Sequence, residues 1–362
     1  MASVNPSSNG FAPRLAVILV TLIAAGFLVI LGKRVLCPLF FALLFSVALH
    51  PLARFFEARL HFRRALAAAA CVILLECFLG LIIYFIAIAF DGMINDWPHF
   101  KGQLFATLSS IQTWAASALH IDVDKQKSYI DHAISGMASS GTSMAGQTLL
   151  TLTSILLFIV LLTFYIFFLL YYRALLLRFF LEVFEKKANR AIQEIVASVQ
   201  RMIRKYITGL LLEMLIVGTT CTLGFTLLGI KYALFLGPLT GVLNVIPYVG
   251  IFTSLAVTAA VTLASAGAAK AALVAGFMVA VHLVDSNLLL PFIVGSKVRI
   301  NALITLMGVV IGEMMWGIPG MFLSIPVLAI AKIVFDRVEG LKEWGTLLGE
   351  ERPIRKRLRR TG

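Results

Sequence analysis

Apolar residues run along this chain in long blocks, and polar residues fall in a few clusters between them. Six blocks read as membrane-crossing helices: 15–31, 35–49, 65–90, 148–172, 207–230 and 268–290. Lys33-Arg34 separates the first two, so 15–49 is expected to form a helical hairpin. Val35 to Leu49 is the shortest block, with Pro38 in its first turn and His50-Pro51 ending it.

Two further apolar stretches, 232–265 and 302–334, are broken in the middle. The first carries Asn244-Val245-Ile246-Pro247-Tyr248-Val249-Gly250. Pro247 removes a backbone donor and clashes with the preceding turn, and Gly250 adds backbone freedom. The second carries Trp316-Gly317-Ile318-Pro319-Gly320. In hydrocarbon the backbone groups freed at such breaks must find protein or water. An arm of about sixteen residues is roughly 24 Å long, short of the ~30 Å core, so both stretches are expected to be re-entrant hairpins. They repeat each other: Gly250, Phe252 and Ser254 recur as Gly320, Phe322 and Ser324. Gly237/Gly241 and Gly308/Gly312 are small-xxx-small pairs that let helices approach closely.

The polar segments set the domain plan. Residues 1–14 read as a disordered N-terminus, followed by N-terminal spans 1–3 over 15–90. Residues 91–147 hold three Lys and five Asp, with Trp97, Phe100, Leu104, Leu108, Ile111 and Trp114 at helical spacing. They read as an extracytoplasmic helical cap, with a Gly/Ser-rich linker over 135–146. Span 4 is 148–172. Residues 173–206 form an amphipathic basic helix with eight Lys/Arg against three Glu. An inverted-repeat transport core, 207–334, and a basic tail, 335–362, complete the chain.

Composition agrees with this plan. Hydrophobic residues make up 60% of the 362 positions and charged residues 14%, where a soluble domain has about a quarter charged. Mean hydropathy is +0.95. The net charge of +13 is therefore a topology signal. It puts the positive segments 50–64, 173–206 and 335–362 in the cytoplasm, the acidic 91–147 outside, and both termini inside. The Arg/Lys cluster at 352–360 suits anionic lipid headgroups. No recognised nucleic-acid module accompanies the charge. Cys37, Cys71, Cys77 and Cys221 lie in apolar segments without metal-ligand spacing, so no metal or cofactor is expected. The chain has no P-loop, no His-Glu-x-x-His and no Gly-x-Ser-x-Gly elbow, so no enzyme activity is expected.

On this reading the fold class is an all-α polytopic membrane protein, with about six full spans and two re-entrant hairpins in an inverted repeat. Span 207–230 runs outward and its hairpin dips from outside; span 268–290 runs inward and its hairpin dips from inside. Inverted repeats whose broken helices meet near the midplane are the architecture of alternating-access transporters.

Several motifs resemble those of the autoinducer-2 exporter family, the PerM-like permeases. They are Tyr206-x-x-Gly209, Asn244-x-Ile246-Pro247-Tyr248-x-Gly250, Asp285-x-Asn287-x-x-x-Pro291-x-x-x-Gly295, Gly317-x-x-Gly320 and Pro326. The chain departs at Leu210, where the family often has Gln, and at Asn301-Ala302, where it often has His-Pro. The resemblance implies a permease of the bacterial inner membrane exporting a small molecule or ion. Some relatives are associated with a quorum signal and others with sodium/proton exchange. It also implies a homo-oligomer.

Four carboxylates, Glu76, Glu213, Asp285 and Glu313, sit in apolar stretches. Charges at bilayer depth are expensive and usually mark a pathway or relay. Asp285, Glu313 and Glu213 are the candidate coupling carboxylates, with a polar staple between helices as the other reading of Asp285. Glu76 reads as a packing or subunit contact. Asn244, Pro247, Tyr248, Gly250, Asp285, Asn287, Glu313, Gly317 and Gly320 are the candidate pathway residues. The function expected is a secondary transporter for a small polar molecule or ion, with coupling to protons or sodium. A passive channel or oligomeric pore and a non-transporting scaffold are the alternatives.

Overall fold

The computed structural model describes residues 11–95, 102, 153–183, 189–289 and 300–349. The expected cap, the linker, Pro291, Gly295 and the tail cluster lie outside the described residues. Among the described residues the chain is helical, with one isolated bridge between Ile300 and Gly349. The helices are α1 (Phe11–Leu31), α2 (Lys33–Arg59), α3 (Arg64–Asn95), α4 (Thr153–Tyr171), α5 (Arg173–Val183) and α6 (Asn189–Leu227). They continue with α7 (Ala233–Asn244), α8 (Val249–Ala266), α9 (Ala268–Val284), α10 (Ala302–Trp316), α11 (Ile318–Phe335) and α12 (Lys342–Leu348). Seven of these described helices are long and apolar enough to cross a membrane. The chain is an all-α, multi-pass membrane protein.

Three boundaries differ from the sequence expectation. The chain bends at Gly32 rather than reversing, because Gly32 keeps φ −75° and ψ 4°. Its N–H still bonds the Leu28 carbonyl, and the Leu36 N–H bonds the Gly32 carbonyl, so the helical ladder carries across. Residues 15–49 are therefore not a hairpin. Next, α2 runs through His50-Pro51 to Arg59. Pro51 costs the helix one hydrogen bond. Beyond it, Ala53 is fully buried with Cys71 and Ile166, and Glu57 pairs with Arg173 of α5, so packing carries the helix past the proline. Third, no break separates the basic connector from the span at Tyr206, since α6 is one helix of 39 residues.

Local signals explain where the core helices end. α6 stops in a Schellman cap: Gly229 has φ 67°, and the Ile230 N–H reaches back to the Phe225 carbonyl. Gly267, at φ 85°, turns the chain between α8 and α9. After α11, Gly340 at φ 85° sends α12 back, where Lys332 Nζ donates to the Gly345 carbonyl.

Three apolar clusters hold the helices together. Phe225, Leu236, Val261, Val274 and Met278 join α6 to α9. Ala42, Ala53, Cys71, Ile166 and Leu170 join α2, α3 and α4. Leu44, Ile203, Ile207, Trp316 and Leu323 join α2 and α6 to α10 and α11. The small-residue pairs work as contact points. A methyl group on Gly237 or Gly241 would run into Thr222 or the Met214 carbonyl of α6, and Gly312 and Gly320 leave each other no room for a side chain.

The two broken stretches have unequal arms. α7 has 12 residues and α10 has 15, whereas α8 and α11 have 18 each. Eighteen residues span about 27 Å and twelve about 18 Å, so the second arms are long enough to cross and α7 is not.

Candidate functional site

The site is built where α7 stops. The Val249 N–H bonds the Pro247 carbonyl at 2.7 Å, closing a three-residue turn around Tyr248. Tyr248 sits at φ 61°, ψ −54°, the rare and strained form of the γ-turn. A bulky residue at positive φ is an outlier that only its surroundings can hold. Proline at 247 removes the N–H that would have continued α7. Gly250 is required two residues on, since a Cβ there would collide with the Leu243 carbonyl.

This break places Asn244, the last residue of α7, against two carboxylates. Asn244 Nδ2 donates to Glu213 Oε1 of α6 at 3.0 Å and to Asp285 Oδ2 at 3.3 Å. Glu213 is 6% exposed and Asp285 5%. Glu213 reaches the site because Glu213, Val217 and Cys221 repeat every four residues on the buried face of α6. Asp285 reaches it at the end of α9, where residues 285–289 widen into a π-helical turn. Such turns reposition side chains and recur at functional sites. The outer oxygens, Glu213 Oε2 and Asp285 Oδ1, are buried and have no hydrogen-bond partner among the described residues. Two acidic groups bridged by one amide nitrogen, with no cation beside them among the described residues, form a costly arrangement at low dielectric.

Beside them lies a cavity of about 230 Å³, lined by residues that include Thr240, Asn244, Tyr248, Ser254, His282 and Asp285. Its remaining walls, among them Val217, Cys221, Leu255 and Met278, are apolar. Ser286 Oγ lies 3.3 Å from the His282 ring on the adjacent turn.

Of the expected pathway residues, the structure brings together Asn244, Pro247, Tyr248, Gly250 and Asp285, and adds Glu213 at the centre. Asn287 points away, exposed, and donates to the Leu283 carbonyl of its own helix. Glu313 is also exposed and lines neither cavity. Gly317 and Gly320 form the second break, beside a separate cavity of about 270 Å³. Its lining includes Val29, Phe40, Met315, Trp316 and Leu323 and carries no charged residue. Glu76 accepts a hydrogen bond from Thr163 of α4, which makes it an interhelical polar contact. Thr240, Ser254 and Cys221 also line the first cavity. In the sequence Ser254 stands out only as part of the repeat and Cys221 only as a cysteine in an apolar segment, and Thr240, four residues before Asn244, is not singled out.

A family model described as AI-2E family transporter matches residues 15–340. The chain belongs to the AI-2E transporter family. AI-2E transporters are membrane permeases rather than enzymes, and the chain's role is transport. The chain is similar over its whole length to YhhT of Escherichia coli (strain K12), 24% identical with 98% of each chain covered. It is 26% identical to YueF of Bacillus subtilis (strain 168), covering 67% of each. It is 23% identical to the AI-2 transport protein TqsA of Escherichia coli (strain K12), covering 88% of this chain and 90% of TqsA. The Tyr206 motif of the family packs against the second broken stretch, with the Tyr206 and Phe322 rings 6.2 Å apart.

Proposed function

We propose that this AI-2E transporter is a secondary transporter that moves a small polar molecule or ion across the bacterial inner membrane. Its transport site is Glu213, Asn244, Tyr248 and Asp285. The observation that carries this reading is the single amide of Asn244 bridging two buried carboxylates at a helix break. A packing staple could satisfy both N–H groups of that amide with neutral carbonyl acceptors. A second buried carboxylate, with two oxygens left unbonded, suits a site that takes up and releases a cation or proton. The paired breaks act as gates in alternating access. Segments 50–64, 173–206 and 335–362 face the cytoplasm, the tail meets anionic lipids, and the working form is a homo-oligomer.

Flux into proteoliposomes, with and without a proton or sodium gradient, tests the reading over a panel that includes AI-2, on the strength of TqsA. Flux that follows the gradient is expected. Flux independent of every gradient makes the protein a passive pore, and no flux of any solute makes it a scaffold. The orientation is tested with single cysteines at Ser110 and Gln193 in a cysteine-free background. In intact cells an impermeant thiol reagent should label the first and not the second; the reverse pattern overturns the orientation.

A further inference from the structure

We infer that the site takes a small organic cation, an ammonium group carried on an apolar body of about one ring. The inference rests on the reading of Glu213, Asn244 and Asp285 as the transport site, and it follows from the shape and chemistry of the cavity beside them.

Charge decides the sign of the ligand. Among the described residues the titratable groups facing the cavity are Asp285, His282, Tyr248 and Cys221, with Glu213 bonded to Asn244 beside it, and no described lysine or arginine lines it. Ionised carboxylates are acceptors only. Asp285 Oδ1, on a residue 5% exposed, has no partner among the described residues, and neither has Glu213 Oε2. An anionic ligand would be repelled by the Asp285 carboxylate, and the donors it would find there, such as the Tyr248 hydroxyl, carry no compensating charge. A primary ammonium brings three donors and a positive charge to Asp285, the carboxylate that lines the cavity with one oxygen unpaired.

The walls decide the rest of the ligand. A water molecule occupies about 30 Å³, so a cavity of about 230 Å³ is far larger than a bare inorganic ion needs. Val217, Leu255, Met278 and Val281 cannot complete an ion's hydration shell. They can bury an apolar body. The cavity falls below the ~300 Å³ at which drug-sized pockets begin, which limits that body to about one ring or a short chain. Tyr248 and Phe252 line the same space, and an aromatic ring is a residue type that attracts a cation.

The test is equilibrium binding of radiolabelled benzylamine to the purified full-length protein, beside benzyl alcohol, benzoate, methylamine and sodium chloride. Benzylamine should bind at least about tenfold more tightly than benzyl alcohol, because the neutral isostere brings one donor and no charge to the Asp285 carboxylate. Benzoate should not bind. Asp285→Asn and Glu213→Gln should each weaken benzylamine by about tenfold or more. Leu255→Phe narrows the cavity without touching the carboxylates, so it should weaken benzylamine and spare methylamine. That variant and the alcohol comparison on the unaltered protein decide the matter even if the carboxylate variants do not assemble. Equal affinity for benzyl alcohol overturns the inference and leaves an apolar cavity. Sodium binding without benzylamine binding overturns it in favour of an inorganic ion. Gradient-driven flux of another solute without amine binding sinks the inference and leaves the transport reading standing. Amine binding without flux of any solute does the opposite.

Discussion

The break between α7 and α8 and the break between α10 and α11 share a sequence pattern, down to a buried serine bonded to its own helix, and differ in their charged chemistry. Both end a short first arm and begin an 18-residue second arm, and both need glycine where two helices touch. At the first, the turn is made by a strained tyrosine, and Asn244 holds Glu213 and Asp285. At the second, Gly317 makes the turn at φ 69° at little cost, and the nearby cavity is apolar. The polar group there is Trp316 Nε1, which donates to the Val29 carbonyl at 3.0 Å. A repeated motif thus reports a repeated backbone solution, not a repeated chemistry. Strain and unpaired polar atoms gather at one copy, which is where function is expected to gather.

The shared part of the comparison gives the largest effect. Gly250→Ala and Gly320→Ala would each drive a methyl group into a backbone carbonyl, that of Leu243 or of Gly312. Backbone cannot move aside as a side-chain tip can, so each should cost more than about 3 kcal/mol and abolish a monodisperse elution profile. A variant that elutes and melts like the parent would show that its break is looser than the packing implies.

The chemical part comes next. Asp285→Asn keeps volume and hydrogen-bonding capacity but removes the charge. It should lower gradient-driven uptake by about tenfold or more while counterflow exchange in the same vesicles persists. Glu313→Gln, at the second break, should change neither by more than about twofold, because Glu313 is exposed and outside both cavities. If Glu313→Gln uncouples and Asp285→Asn does not, the assignment of chemistry to the first break is wrong.

Much of this was legible in the sequence, and the illegible part has a physical cause. Long apolar blocks announced the spans, and Pro247 with Gly250 and Gly317 with Gly320 announced the breaks, because both signals are local. Asn244 and Asp285 stood out as polar groups at bilayer depth. Their meeting with Glu213 did not, since it joins residues 31 and 41 positions apart through three helices. Glu313 stood beside Asp285 among the candidate coupling carboxylates because burial, which separates them, is a property of the packed bundle. The run of α2 through His50-Pro51 was hidden for the same reason. A local proline rule was outweighed by Ala53 and by the Glu57–Arg173 pair, whose partners lie far along the chain.

The smallest effect separates the two turns themselves. Tyr248 pays for its positive φ, whereas Gly317 does not. Tyr248→Gly should therefore raise stability by about 1 kcal/mol, the relief of backbone strain less the greater freedom of glycine in the unfolded chain. The same change removes a ring from the cavity wall, so transport should fall although the protein is firmer. Gly317→Ala should act in the opposite sense. A Cβ there meets open space, so the cost is that of a backbone conformation close to one reserved for glycine, φ 69° with ψ −144°, about 1–3 kcal/mol, with transport per folded molecule unchanged. Thermal midpoints and flux, measured on both variants in the same detergent and lipid, give the comparison directly. If Tyr248→Gly lowers the midpoint, the turn is held by contacts of the tyrosine ring and stores no strain. If Gly317→Ala abolishes flux while the protein stays folded, the second turn moves during transport, and the two breaks are more alike in function than their chemistry indicates.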